Sequence, residues 1–141
     1  MVKLSKNFDI NEFTFSPTAN AHKINNACGV EHVANLKALC ENVLQPLRDY
    51  LGVPIIISSG YRCPELNRIL KGAVNSQHLK GEAADFIVPV KKLHDVFLYI
   101  KDNLPYDQLL FEKNKAGDIW IHVSFRKDGK NRKDAKDNFF I

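Results

Sequence analysis

The stretch from residue 31 to residue 51 places the strongest constraint on the fold, because its apolar side chains recur at steps of three and four. That spacing predicts a long amphipathic helix with one face turned towards a core. Pro46 lies inside the run and has no backbone N–H to donate, so we expect a distortion of the helix near Val43. Gly52 and Pro54 then predict its end.

Four short segments predict the strands of one sheet, since they are rich in β-branched and aromatic residues or alternate between apolar and polar positions. Residues 55–58 are expected to form a buried strand, and residues 83–88 a second strand. Residues 108–112 and 119–125 predict a hairpin, because residues 113–118 between them have the composition of a loop.

Three shorter helices are predicted at residues 8–13, 64–70 and 90–103. Asp9 can cap the first of them, and Pro64 suits the first position of the second. Helices, strands and a hairpin in this order, with antiparallel pairing, predict an α+β domain whose helices pack on one face of a central antiparallel sheet.

The composition is that of an ordinary soluble globular protein, with 45% hydrophobic and 26% charged residues. A length of 141 residues predicts one domain over residues 1–141. No apolar run reaches the roughly 18 residues of a membrane span, and the amino terminus lacks the apolar core of a signal peptide. Three cysteines without a C-x-x-C pair predict reduced thiols in a protein made in the cytoplasm.

The densest basic cluster, residues 126–136, is interrupted by aspartates and contributes to a formal net charge of +4. Such a cluster could favour an anionic polymer such as nucleic acid or cell wall. We interpret it instead as a solvated tail. No aromatic platform accompanies it in the sequence, so no nucleic-acid partner is expected.

Residues 76–85 contain two candidate metal ligands, His78 at the end of a polar loop and Asp85 in the strand that follows. Gly81 permits the tight backbone path that can turn both side chains towards one point. His122, in the return strand of the hairpin, is the third candidate, because a strand holds its side chain rigidly. Three such ligands plus an open position for water are typical of a catalytic zinc site, so we interpret the rest of the chain as the scaffold of one Zn²⁺ ion.

The pattern S-x-H-x-x-G-x-A-x-D, which residues 76–85 match, resembles the signature of the M15 family of zinc peptidases. Residues 59–62, Ser-Gly-Tyr-Arg, and the segment Trp120-x-His122 resemble two further motifs of that family. The resemblance covers residues 8–125 approximately, and it is to the subgroup of small single-domain members.

Membership of this family would imply a hedgehog/DD-peptidase fold in which His78, Asp85 and His122 bind zinc. It would also imply hydrolysis of peptide bonds in the stem peptides of bacterial peptidoglycan, by a D-Ala-D-Ala carboxypeptidase or an endolysin-type endopeptidase. Without a signal peptide, the protein is expected to reach the cell wall by another route, as a phage or prophage lysin does. We expect a monomer whose partner is the peptidoglycan peptide.

Glu112 and Asp118 are the two candidates for the catalytic base. Glu112 ends the first strand of the hairpin, opposite the strand of His122, and can therefore point at the same metal-bound water. Many members of the family carry E-x-x-H at the second histidine, a pattern that Ile119 breaks. The related hedgehog domain has a glutamate at the end of the preceding strand, so the resemblance favours Glu112. Hedgehog-like relatives show that such a domain can lose hydrolysis, so the alternative function is a zinc-containing binding module without hydrolytic activity.

Arg62 is the candidate for substrate binding and for stabilisation of the reaction, because a guanidinium beside the metal could clamp a terminal carboxylate or an oxyanion. A structural ion pair is the alternative role for this side chain. Ser76 and Gln77 could bind substrate or orient His78. Trp120 forms either a wall of the cleft or part of the core.

Overall fold

The computed structural model describes residues 2–140, with residue 138 described by its backbone alone. Its helices are α1 (Ile10–Thr14), α2 (Pro17–Ala21), α3 (Val30–Leu39), α4 (Gln45–Leu51), α5 (Pro64–Ile69) and α6 (Leu93–Asn103). Its strands are β1 (Lys3–Ser5), β2 (Phe8–Asp9), β3 (Ile56–Ser59), β4 (Ala83–Ile87), β5 (Gln108–Lys113), β6 (Ile119–Ser124) and β7 (Asp134–Phe140). No helix between residues 2 and 140 combines the length and the apolar character needed to cross a bilayer.

The main sheet has five strands in the order β3-β4-β6-β5-β7, and β1 and β2 form a separate two-stranded ribbon. Neighbouring strands of the main sheet are antiparallel except β5 and β7, which run parallel. One face of this sheet packs against α3, α4 and α6 to form the core, in which Phe86, Leu109 and Ile121 are fully buried. The predicted α+β class, with helices on a largely antiparallel sheet, is therefore confirmed.

The strand expected at residues 55–58 begins and ends one residue later, as β3, and is not buried. β3 pairs with β4 on one side, and among the described strands it has no partner on the other. As a result Ile56 is 48% exposed. The prediction of a buried strand is wrong, because an apolar run does not distinguish an edge strand from a central one.

The predicted distortion of the long helix is confirmed as a π-helical segment, Cys40–Leu44, between α3 and α4. Pro46 follows within the first turn of α4, and in a regular α-helix its ring would clash with the carbonyl four residues earlier. The wider π turn relieves this clash. The helix then ends at Gly52, whose φ of +68° glycine adopts without strain.

The basic cluster of residues 126–136, for which we predict a solvated tail, runs into β7, the fifth strand of the main sheet. β7 pairs in parallel with β5, with Gln108 opposite Asp134. Asp107, whose side chain is 1% exposed, fixes the chain just before β7. It accepts hydrogen bonds from the backbone N–H and the guanidinium of Arg132. The prediction is therefore wrong for the backbone of residues 134–136, which begins a strand, because backbone pairing leaves no mark in the side-chain pattern. The charged side chains of Arg132, Lys133 and Lys136 are exposed, as predicted.

The three cysteines are free thiols, in agreement with their number and spacing. Cys40 lies in the core and is fully buried. Cys28 and Cys63 are partly exposed and pack against the margin of the same core.

Candidate metal and catalytic site

Four of the predicted site residues project from the sheet face opposite the core. Side chains alternate between the two faces of a strand, and residues paired across two strands share a face. Asp85 on β4 pairs with His122 on β6, and Trp120 on β6 pairs with Glu112 on β5. Since Trp120 and His122 are alternate residues of one strand, all four side chains lie on the same face.

His78 reaches this face from the 3₁₀-helix Gln77–Lys80, because the chain turns sharply before β4. Gly81 has a φ of +75°, which is strained for a residue with a Cβ. A Cβ at Gly81 would also lie 2.7 Å from the carbonyl oxygen of His32 on α3. The predicted need for glycine is confirmed by both observations, and the turn brings His78 against Asp85.

His78, Asp85 and His122 are brought together in one cluster. Their candidate ligand atoms all lie within 4.8 Å of one another. The Nε2 of His78 is 3.4 Å from one carboxylate oxygen of Asp85, and the Nδ1 of His122 is 2.9 Å from the other. Two imidazole nitrogens and a carboxylate oxygen are donors that zinc uses in catalytic sites, so the residues present fit this ion.

A hydrogen bond from His78 to the backbone determines which of its ring nitrogens faces the cluster. Its Nδ1 donates to the carbonyl oxygen of Gly60 at 2.7 Å, since a carbonyl can only accept. The proton is thereby held on Nδ1, and the lone pair of Nε2 is directed towards Asp85. Such a partner orients a histidine ring for metal binding.

Burial and charge set the protonation states of the cluster. Burial lowers the pKa of His78, so its ring is neutral at pH 7. Burial alone would raise the pKa of Asp85, but the rings of His78 and His122 outweigh it and hold that pKa well below its usual range. Burial acts to lower the pKa of His122 as well, but its hydrogen bond to Asp85 and the charge of that carboxylate raise it. A cation bound here would replace the proton between His122 and Asp85.

Glu112 lies beside the cluster, whereas Asp118 lies in the turn between β5 and β6. The Glu112 side chain is buried, and its Oε1 is 3.9 Å from the Nδ1 of His122. Burial raises the pKa of Glu112, and the charge of Asp85 adds to this effect. Asp118 instead accepts a hydrogen bond from the side chain of Asn114 at 3.2 Å. The geometry therefore favours Glu112 as the acid next to the candidate ligands.

Arg62 borders the cluster from the loop between β3 and α5. Its Nη2 is 3.5 Å from a carboxylate oxygen of Asp85. Its Nε donates to the Oγ of Ser59 at 3.1 Å, and its Nη1 donates to the Oδ1 of Asn67 at 3.4 Å. The ion pair is made with a candidate metal ligand, so a structural role and a place at the site are compatible.

Ser76 and Trp120 support other residues of the site. The Oγ of Ser76 accepts from the backbone N–H of His78 at 3.2 Å and caps the 3₁₀-helix. Trp120 is half-buried, and its Nε1 donates to the Oε1 of Glu112 at 3.1 Å. Gln77 donates to a neighbouring glutamate at 3.2 Å. Substrate-binding roles for these three residues stay predictions.

Two asparagines beside Arg62 were not predicted. Asn67 accepts from the Arg62 guanidinium, and Asn26 bonds the backbone next to Arg62. Asn67 lies on α5, the helix that follows the Ser-Gly-Tyr-Arg motif. Its closeness to that motif in the sequence is the signal that could have indicated its role. Asn26 lies in a polar segment between α2 and α3, where no sequence pattern distinguishes it from its neighbours.

A family model described as Peptidase M15 matches residues 6–124. The matched range contains the three candidate ligands together with Arg62 and Glu112, whereas β7 lies outside it. No curated protein matches the chain.

Proposed function

Because the chain belongs to the peptidase M15 family, we propose that it is a zinc-dependent peptidase that cleaves the stem peptides of bacterial peptidoglycan. The observation that supports this most directly is the convergence of His78, Asp85 and His122, with Glu112 beside them. A D-Ala-D-Ala carboxypeptidase and an endolysin-type endopeptidase both fit this proposal. The cell wall is the proposed place of action.

Glu112 is assigned the proton transfers of the reaction. Zinc held by the three ligands would supply the Lewis acidity that activates a water molecule and polarises the scissile carbonyl. Glu112 accepts a proton from the attacking water and passes it to the leaving amine. The indole N–H of Trp120 donates to its Oε1 at 3.1 Å and so helps to orient the carboxyl group beside the candidate ligands. Burial raises the pKa of Glu112 above its ordinary value, and a raised pKa suits a carboxyl group that takes and then returns a proton.

Arg62 is assigned the binding of a substrate anion or of the polarised carbonyl oxygen. Its contacts with Ser59, Asn67 and Asp85 are 3.1, 3.4 and 3.5 Å long. These are long for hydrogen bonds of a charged group, so a better acceptor can compete for the guanidinium. In a carboxypeptidase that acceptor would be the terminal carboxylate, and in an endopeptidase the carbonyl oxygen of the bond to be cut.

Incubation of the zinc-loaded protein with purified muropeptides tests the proposal. We expect cleavage by the wild type and a loss of about 100-fold or more in Glu112→Gln, which keeps the side-chain shape but cannot accept the proton. Asp118→Asn makes the equivalent change in the adjoining turn and should cleave like the wild type. Equal cleavage by Glu112→Gln would contradict its role as base. A zinc-loaded wild type that releases no product would contradict the function, and product masses would identify the bond.

A zinc-containing binding module without hydrolytic activity is the second candidate. The observation that favours it is Ile119, which occupies the glutamate position of the E-x-x-H pattern. Under this alternative the protein binds zinc and muropeptides, and neither the wild type nor Glu112→Gln releases products. Muropeptide binding in calorimetry without cleavage would favour the module over the peptidase.

A further inference from the structure

One buried side chain, that of Asn26, holds the backbone on both sides of Arg62. Asn26 is 8% exposed and lies between α2 and α3. Its Nδ2 donates to the carbonyl oxygen of Tyr61 at 2.9 Å, and its Oδ1 accepts from the N–H of Cys63 at 2.7 Å. Its Nδ2 also donates to the carbonyl oxygen of Thr14 at 3.0 Å, at the end of α1. Asn26 therefore ties the loop that contains Arg62 to α1.

A carboxamide matches the three backbone groups around Asn26. It offers two N–H donors and an oxygen acceptor, and it meets two carbonyl oxygens and one N–H. An aspartate at this position would accept from Cys63 but would set a carboxylate against the two carbonyl oxygens. The loop has little room to adjust to such a change, since a Cβ at Gly60 would lie 2.6 Å from the Cα of Phe13.

The side-chain contacts of Arg62 are longer than the hydrogen bonds that hold its backbone neighbours. The guanidinium contacts measure 3.1 Å to Ser59, 3.4 Å to Asn67 and 3.5 Å to Asp85. The bonds of Asn26 to the residues flanking Arg62 measure 2.7 and 2.9 Å. Hydrogen bonds weaken with length, so the place of the guanidinium depends chiefly on where the backbone is held.

We infer that Asn26 is a positioning residue for Arg62, because it sets the distance of the guanidinium from the metal ligands and hence from the substrate. This inference rests on the proposed function, since it concerns the reaction in which Arg62 takes part. Misplacement of a reacting group by about 1 Å can slow a reaction about 100-fold. Asn26→Asp should therefore lower kcat by about 10- to 100-fold while the zinc content stays unchanged.

A double-mutant cycle separates positioning of Arg62 from general support of the fold. Asn26→Asp, Arg62→Ala and the double variant are compared as zinc-loaded proteins on muropeptides. If Asn26 acts through Arg62, the double variant is as slow as Arg62→Ala alone. Losses that multiply would overturn the inference. Asn25→Asp makes the same change one residue away, at an exposed position, and should cleave like the wild type; an equal loss there would also overturn it.

Hydrogen exchange of the backbone amides of residues 61–63 provides a readout that does not require activity. Asn26→Asp should accelerate this exchange roughly tenfold, and Asn25→Asp should not. Unchanged exchange in Asn26→Asp would overturn the inference even in an active enzyme. A zinc-loaded wild type that is inactive, together with accelerated exchange, would contradict the proposed function and support the placement of the loop by Asn26. Should Asn26→Asp fail to fold, Asn26→Ser, which adds no charge, replaces it in both experiments.

Discussion

Replacement of Arg132 by alanine tests whether the C-terminal strand is held by one buried carboxylate. The Asp107 side chain accepts from Arg132 three times, from the backbone N–H at 2.8 Å, from Nε at 3.1 Å and from Nη2 at 2.9 Å. The substitution removes the two side-chain donors. Hydrogen bonds to charged groups contribute about 1.5–3 kcal/mol each, but the Arg132 side chain is 56% exposed and solvent screens its charge. We therefore expect the free energy of unfolding to fall by about 1–3 kcal/mol.

Urea unfolding of the zinc-free protein at pH 7 measures this loss. Arg126→Ala is the matched control, because Arg126 pairs with Asp128 on the surface, where their side chains are 37% and 46% exposed. That variant should lose less than about 0.5 kcal/mol. Equal losses in the two variants, or no loss in Arg132→Ala, would refute the reasoning.

The same pair predicts a pH dependence. Burial would raise the pKa of Asp107, but its hydrogen bonds with Arg132 outweigh burial and lower that pKa. A carboxyl group with a lowered folded-state pKa stabilises the fold above its unfolded-state pKa of about 3.9, and this contribution is lost as the pH falls through the folded-state pKa. The stability difference between wild type and Arg132→Ala should therefore be constant above about pH 5 and shrink below about pH 4. An equal difference at acidic and neutral pH would contradict this.

Three further predictions concern the candidate site. Gly81→Ala should lower the free energy of unfolding by about 1–3 kcal/mol and weaken zinc binding, since its Cβ would be strained and would meet α3; unchanged urea unfolding and zinc titration would contradict this. His78→Ala and His122→Ala should each lose the zinc, and metal analysis that finds it retained would exclude them as ligands. Trp120→Phe should keep the zinc but slow muropeptide cleavage about tenfold, because Glu112 loses a hydrogen-bond donor. Wild-type kinetics in Trp120→Phe would show that this bond does not matter.

Features that depend on one residue or one contiguous segment could be predicted from the sequence. Pro46 has no N–H and distorts the helix that contains it, and Gly81 allows a turn that other residues resist. Asp9 caps α1 as expected, accepting from the N–H of Asn11 at 3.0 Å. The juxtaposition of His78 and Asp85 could be anticipated for the same reason, since both lie in one short motif.

Features that depend on which segments become neighbours in space could not be predicted. The apolar residues 55–58 have the same pattern in a central strand and in an edge strand. β7 is held to β5 by backbone hydrogen bonds, which require no particular side chains. All three hydrogen-bond partners of the Asn26 side chain are backbone groups distant in sequence, so nothing in its surroundings along the chain marks its role.

β7 makes β5, the strand that contains Glu112, an inner strand of the sheet. With β7 in place, β5 has hydrogen-bonded neighbours on both sides. Without it, β5 would be an edge strand whose free N–H and C=O groups could pair with a second chain. A chain cut after residue 125 would keep every candidate site residue and the whole range matched by the family model, but it would expose this edge to self-association. The segment outside the matched range thus shields the strand of the candidate base from other chains.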